Sequence, residues 1–157
     1  MIVFSNTTPL ISLASVDALS LLSALFGSIH VAEAVVTECR AGGPVVVPDL
    51  GALAWIRVVP PEPRSVRPEL WELDAGERQT IELALHHKAD WVILDEKIGR
   101  NAAEFLGLHV TGTLGVLLKA KQQGLIPSFR GTAEAMRRQG IYYNQALIAR
   151  LAARVGE

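Results

Sequence analysis

Three carboxylates far apart in the chain, Glu38, Glu77 and Asp95, have the types and settings that could do chemistry together. Asp95, with Glu96 behind it, follows the apolar run Trp91-Val92-Ile93-Leu94. Asn6 follows Met1-Ile2-Val3-Phe4, and Thr111-Gly112-Thr113 follows Leu108-His109-Val110. In a parallel α/β sheet, polar residues just past the carboxyl ends of neighbouring strands converge on one crevice, where such folds bind ligands. Glu77, in the first turn of a helix entering from that edge, and Glu38, on the helix after the second strand, can reach the same space. Carboxylates held there repel by about 4 kcal/mol per pair at 4 Å and an effective dielectric near 20. Such a cluster calls for a cation, and hard oxygen ligands select Mg²⁺ or Mn²⁺. Each residue also has an ordinary reading. Asp95 could cap the next helix, Glu77 could be the third residue of a capping box opened by Asp74, Glu38 could be a solvated surface acid, and Asn6 could serve a turn. His86 and His87, adjacent on a helix, face different directions and read as non-ligands.

The elements that must position these groups alternate. Met1–Phe4 reads as a buried strand, followed by a helix with Thr8 as its N-cap and Pro9 at the first helical position. Val16, Leu19, Leu22 and Phe26 give a helical face ending at Gly27. Ile29–Val31 is a short strand, 32–40 a helix, and 55–59 a strand leading into a Pro-rich connection from Pro60 to Pro68. A helix over 75–88 enters on Asp74. Strand 91–94, helix 98–106 with Ile98, Ala102 and Phe105 on one side, and strand 108–110 complete the alternation. Helices over 113–123, 130–139 and 144–155 follow, the last capped by Asn144. This order predicts a single α/β domain over 1–157, a three-layer α/β/α sandwich on a mostly parallel sheet of four or five strands, with a core over about 1–123 and a helical extension over about 124–157.

Half of the 157 residues are hydrophobic and 20% are charged, which excludes intrinsic disorder. One cysteine, Cys39, allows no internal disulfide and has no zinc-type partner nearby, so a reducing cytoplasm is expected. No apolar run is long enough to span a membrane. A net charge of −1 argues against a general nucleic-acid binder, but the charge is segregated. Residues 1–39 hold Asp17, Glu33 and Glu38 with no Lys or Arg, whereas 105–157 hold seven Lys or Arg against Glu134 and Glu157. An acidic metal site beside a basic flank for a phosphodiester has this distribution. Leu147, Ile148 and Leu151 suggest a homodimer or partner groove, or core packing.

Four segments in order, Val3-Phe4-Ser5-Asn6-Thr7-Thr8-Pro9-Leu10-Ile11, Asp74-Ala75-Gly76-Glu77, Val92-Ile93-Leu94-Asp95-Glu96 and Val110-Thr111-Gly112-Thr113-Leu114-Gly115, resemble the signatures of PIN-domain proteins, and more narrowly a prokaryotic PIN-like subgroup related to VapC toxins. The resemblance implies Mg²⁺- or Mn²⁺-dependent hydrolysis of single-stranded RNA, leaving a 5′-phosphate and a 3′-hydroxyl, by a toxin that pairs with an antitoxin protein. It implies that Asn6, Glu38, Glu77 and Asp95 are the catalytic metal ligands, with Glu96 secondary and Thr7 and Thr113 toward the substrate. Asn6 stands where most active relatives have Asp, so the site loses one negative charge. An inactive or weakened member acting by binding a protein partner or RNA is the alternative. A receiver-like domain using Asp95 as phosphoacceptor is a third reading.

Overall fold

Val3, Phe4 and Ser5 are all fully buried, and they form the central strand of a sheet whose neighbours are equally apolar. The computed structural model describes residues 1–63 and 67–157. Its elements are β1 (Val3–Ser5), α1 (Thr7–Ala14), α2 (Leu21–Phe26), β2 (Ile29–Ala32), α3 (Glu33–Arg40), β3 (Ile56–Val59), α4 (Ala75–His86), β4 (Trp91–Ile93), α5 (Lys97–Phe105), β5 (Val110–Thr111), α6 (Thr113–Gln122), α7 (Phe129–Arg138) and α8 (Gln145–Ala153). Short 3₁₀ turns cover Leu50–Ala52 and Pro68–Leu70. Of the expected Pro60–Pro68 connection, residues 64–66 lie outside the described residues.

The five strands pair in the order β3-β2-β1-β4-β5, every pairing parallel. The chain winds outward from β1 through β2 to β3, then returns to the other side of β1 for β4 and β5. The carboxyl ends of β1 and β4 therefore flank the point where the winding reverses, which is where such sheets open a crevice. Helices cover both faces. Phe4 points to the face where its ring meets His87 at the end of α4. Trp91 is the register partner of Val3, so it points the other way, to Phe26 of α2 and Val116 of α6. The three-layer arrangement follows, and α7 and α8 extend the layer of α6.

Two local expectations are corrected, and a third meets one of its two readings. The first helix begins at Thr7, with Asn6 rather than Thr8 at the N-cap, which puts Pro9 in the third helical position. Proline is tolerated there because the first four N–H groups of a helix have no intrahelical acceptor. On α5, Ile98 and Phe105 share a side, but it faces solvent, at 55% and 76% exposure, while Gly99 and Ala103 face inward. On α8, Ile148 is buried, and Leu147 and Leu151 are partly buried against the core, as the core-packing reading of these residues expects.

Candidate functional site

The crevice at the β1/β4 edge starts with Asn6. Its backbone N–H continues the sheet by donating to the Ile93 carbonyl at 3.0 Å, and its backbone is extended, as an N-cap requires. An Asn in that position ordinarily turns its side-chain oxygen onto the N–H of the second or third helical residue. Here it makes no such bond. Asn6 is 4% exposed, and Oδ1 is buried with no hydrogen-bond partner. A buried amide oxygen left unpaired costs about 1–3 kcal/mol, so an oxygen held in this way is poised for a donor or a cation.

Next to it, the Thr7 hydroxyl donates to Glu38 Oε2. The other Glu38 oxygen accepts the Gly76 N–H at 2.9 Å. This bond fixes the carboxylate of α3 on the first turn of α4, and it depends on Gly76 having no side chain. A Cβ built there would stand 2.5 Å from each Glu38 oxygen, closer than real contacts allow. One residue on, Asp74 caps α4 by accepting the Glu77 N–H at 2.9 Å, the expected capping box. Burial, followed by the charges of Asp74, Glu96 and Glu38, raises the Glu77 carboxyl above its usual 4.5, with a bond to the Asp74 backbone working the other way. Burial and the neighbouring carboxylates together outweigh the one bond that favours the ionised form of Glu77.

Asp95 and Glu96 divide their work differently from the simplest expectation. Glu96, not Asp95, is the N-cap of α5, accepting the Gly99 N–H at 3.1 Å. Asp95 is thereby free to turn to the neighbouring strand end, where Oδ1 accepts the Thr113 N–H at 2.7 Å and Oδ2 accepts the Thr113 hydroxyl at 2.7 Å. A third donor comes from the helical extension. The Tyr143 hydroxyl lies 2.8 Å from Asp95 Oδ2 and 2.7 Å from Ser12 Oγ. An ionised carboxylate only accepts, so the order is fixed: Ser12 donates to Tyr143 and Tyr143 donates to Asp95. Burial, then the adjacent Asp95 charge, pushes the phenol well above its usual 10 and keeps it a donor at all physiological pH. Arg100 completes this side, donating to the Leu94 carbonyl at 2.9 Å. Gly112 lets guanidinium and carboxylate approach, since a Cβ there would stand 2.7 Å from Arg100 Nη1 and 2.9 Å from Asp95 Oδ1.

The structure thus puts Asn6, Thr7, Glu38, Glu77 and Glu96 around one edge, with Asp95 and Thr113 locked to each other beside it. Among the described residues, no three of these carboxylates bring ligand oxygens within 4.8 Å of one another; the acid and histidine group that does is Glu62, His86 and His87, elsewhere on the molecule. That spacing is too open for a cage made wholly of carboxylates. It suits a small hard ion, which is bound by one or two carboxylates and keeps several waters. The orphaned Asn6 Oδ1 and the uncompensated charge at Glu77 fit such an ion. Tyr143 and Arg100 are the residues that sequence reasoning missed. Tyr143 lies in the link between α7 and α8, outside any periodic segment, and nothing in its local spacing marks it.

Comparison with known proteins gives one family: the DUF3368 family model, described as a PIN domain, matches residues 2–157. No curated protein and no solved structure matches the chain.

Proposed function

The chain belongs to the PIN-domain family, whose members are generally nucleases, and from that premise we propose that it is a divalent-metal-dependent endoribonuclease acting on single-stranded RNA. The observation that carries this reading is Asn6 Oδ1, buried and unpartnered at the winding reversal, with a carboxyl at the same edge, Glu77, whose proton affinity is raised by burial and then by neighbouring carboxylates. Asn6, Glu38, Glu77 and Asp95 would hold Mg²⁺ or Mn²⁺, with Glu96 behind them. The ion, when bound, polarises a phosphodiester and lowers the pKa of a water for in-line attack. The chain's own groups orient that chemistry. Gly76 N–H and Thr7 aim Glu38, Thr113 and Tyr143 aim Asp95, and Glu77 is the carboxylate best suited to take a proton from the attacking water. The expected products carry a 5′-phosphate and a 3′-hydroxyl.

The likeness of its segments to VapC toxins supports a role as the toxin of a toxin–antitoxin pair. An antitoxin helix, or a second copy in a homodimer, would find apolar surface on the outward side of α5, where Ile98 and Phe105 stand two turns apart. A second reading has its own support. Both Asp95 oxygens and both Glu38 oxygens already accept protein donors, as they would in a member that binds a partner without cutting.

The decisive experiment combines Mn²⁺ titration with cleavage of single-stranded RNA. Wild type is expected to bind Mn²⁺ and cleave in an EDTA-sensitive way. Asn6→Asp should bind Mn²⁺ more tightly because it restores a charge, and Asp95→Asn should lose cleavage while keeping the wild-type circular dichroism. Equal and negligible Mn²⁺ binding by all three proteins would reject the nuclease reading in favour of the binding one.

A further inference from the structure

Where the end of α4 meets the segment leaving β3, we propose a second metal site, a Zn²⁺ site formed by Glu62, His86 and His87. On α4, nine residues separate Glu77 at the crevice from His86, about 13–14 Å at 1.5 Å per residue. The chain then enters β4 beside the start of β1, with the Asp90 N–H on the Ile2 carbonyl at 2.8 Å. The two histidines are therefore remote from the nuclease ligands.

Adjacent residues inside a helix diverge by about 100° and make poor co-ligands. Here the helix ends between them. His87 is the C-cap, with φ −88° and ψ 3°, and Lys88 takes a left-handed φ of 53°. This ending brings the two rings into an edge-to-face pair with centroids 5.0 Å apart. Glu62, from the segment leaving β3, closes the group, so that one ligand atom from each of the three residues lies within 4.8 Å of the others. Glu62 Oε1 and His86 Nε2 are 3.3 Å apart. In a tetrahedral zinc site with bonds of about 2.0–2.1 Å, neighbouring ligand atoms are separated by about 3.3–3.4 Å.

A further carboxylate lies close by. Glu82, one turn back along α4, lines the same cleft of about 240 Å³ as Glu62 and His86, with Arg67 and Leu85 completing much of the wall. Glu82 Oε1 is buried with no hydrogen-bond partner, although Glu82 is not one of the three residues whose ligand atoms converge. A cation bound at the neighbouring group would lower the cost of that unpaired oxygen, beside Arg67 on the same cleft wall. The carbonyl end of α4 also presents its negative dipole to the ion. Two imidazoles and one carboxylate favour Zn²⁺ over the hard ions suited to the crevice, and three protein ligands leave one position for water. The ion would clip the segment after β3 onto the end of α4.

The test is titration of the full chain with Zn²⁺ and, as a spectroscopic probe, Co²⁺, in excess Mg²⁺ to occupy the crevice. The expected result is one equivalent bound, visible Co²⁺ d–d absorption of tetrahedral intensity, and a higher unfolding temperature with Zn²⁺. His87→Gln and Glu62→Gln should each weaken Zn²⁺ binding by more than about tenfold and abolish the thermal shift. Both side chains lie at the surface, so both variants should fold. If wild type gives no tetrahedral Co²⁺ spectrum, or if His87→Gln binds Zn²⁺ as wild type does, the contact is only a His86–Glu62 ion pair and the site is refuted. Neither outcome bears on RNA cleavage.

Discussion

Tyr143→Phe removes one oxygen atom and no ring volume, so it isolates the bridge between Ser12 and Asp95 without opening a cavity. Two hydrogen bonds disappear. The bond to the Asp95 carboxylate is of the charge-assisted kind, about 1.5–3 kcal/mol, and the bond from Ser12 is a neutral one, about 0.5–1.5 kcal/mol. Ser12 is 1% exposed, and water cannot readily replace its lost partner. Because Asp95 keeps both of its Thr113 donors, a total of about 2–3 kcal/mol is expected. In a domain of this size that lowers the melting temperature by about 4–12 °C. Tyr142→Phe is the control, since that side chain is 71% exposed, and it should change the melting temperature by less than about 1 °C. A pH series adds an independent check. The Tyr143 phenol is held above its ordinary 10, so its contribution is complete below pH 10 and is lost as pH rises through the higher folded value. Wild type should therefore lose stability more steeply than Tyr143→Phe above pH 10. Equal melting temperatures for Tyr143→Phe and Tyr142→Phe, with parallel alkaline limbs, would refute the bridge.

Other outcomes follow from the same geometry. Gly76→Ala should destabilise the protein and weaken Mn²⁺ binding, although helix propensity alone favours Ala by about 1 kcal/mol, because the new Cβ displaces the Glu38 carboxylate from its N–H; urea denaturation and Mn²⁺ titration check both signs. Glu77→Gln should stabilise the metal-free protein at neutral pH. The folded carboxyl sits above 4.5, so the native state binds protons more tightly than the unfolded one, and wild type loses stability as pH rises from 4.5 through the folded value. Thermal melts of both proteins across that range in EDTA measure the effect, and a difference that does not grow with pH would refute it. Cys39 should be nearly inert: burial, followed by the Glu38 charge, raises its thiol from 9.0 to about 11, which cuts the neutral-pH thiolate by about 100-fold relative to an unfolded chain. A disulfide reagent should label it slowly in the folded protein and rapidly in urea.

Much of this architecture was legible in local sequence. Val92-Ile93-Leu94 reads as a buried strand because a short branched apolar run bounded by polar residues suits a covered parallel sheet, and Asp74 and Asn144 mark helix starts because their side chains accept the N–H groups of the first turn. Asn6, Glu38, Glu77 and Asp95 could be named because each sits at a strand exit or a helix opening, where topology dictates convergence. What sequence withheld depends on distant partners. Whether Thr8 or Asn6 caps α1 turns on Asn6 N–H joining β4, and whether Asp95 or Glu96 caps α5 turns on Thr113, 18 positions later. Ile98 and Phe105 have the periodicity of a core face, yet the neighbouring Gly99 and Ala103 are small enough to let the helix seat closely on its other side. The approach of His86 to His87 depends on the residue at which α4 stops, and a terminus is the least determined feature of any helix.

Ser12, Asp95 and Tyr143 come from α1, the end of β4 and the link before α8, with 131 positions between the outermost two. Loss of the phenol alone strands the buried Ser12 hydroxyl, and loss of the Asp95 carboxylate alone strands the Thr113 donors. The geometry therefore predicts covariation: relatives that lack the phenol should also lack the serine, whereas loss of the serine beside an intact phenol and carboxylate should be tolerated.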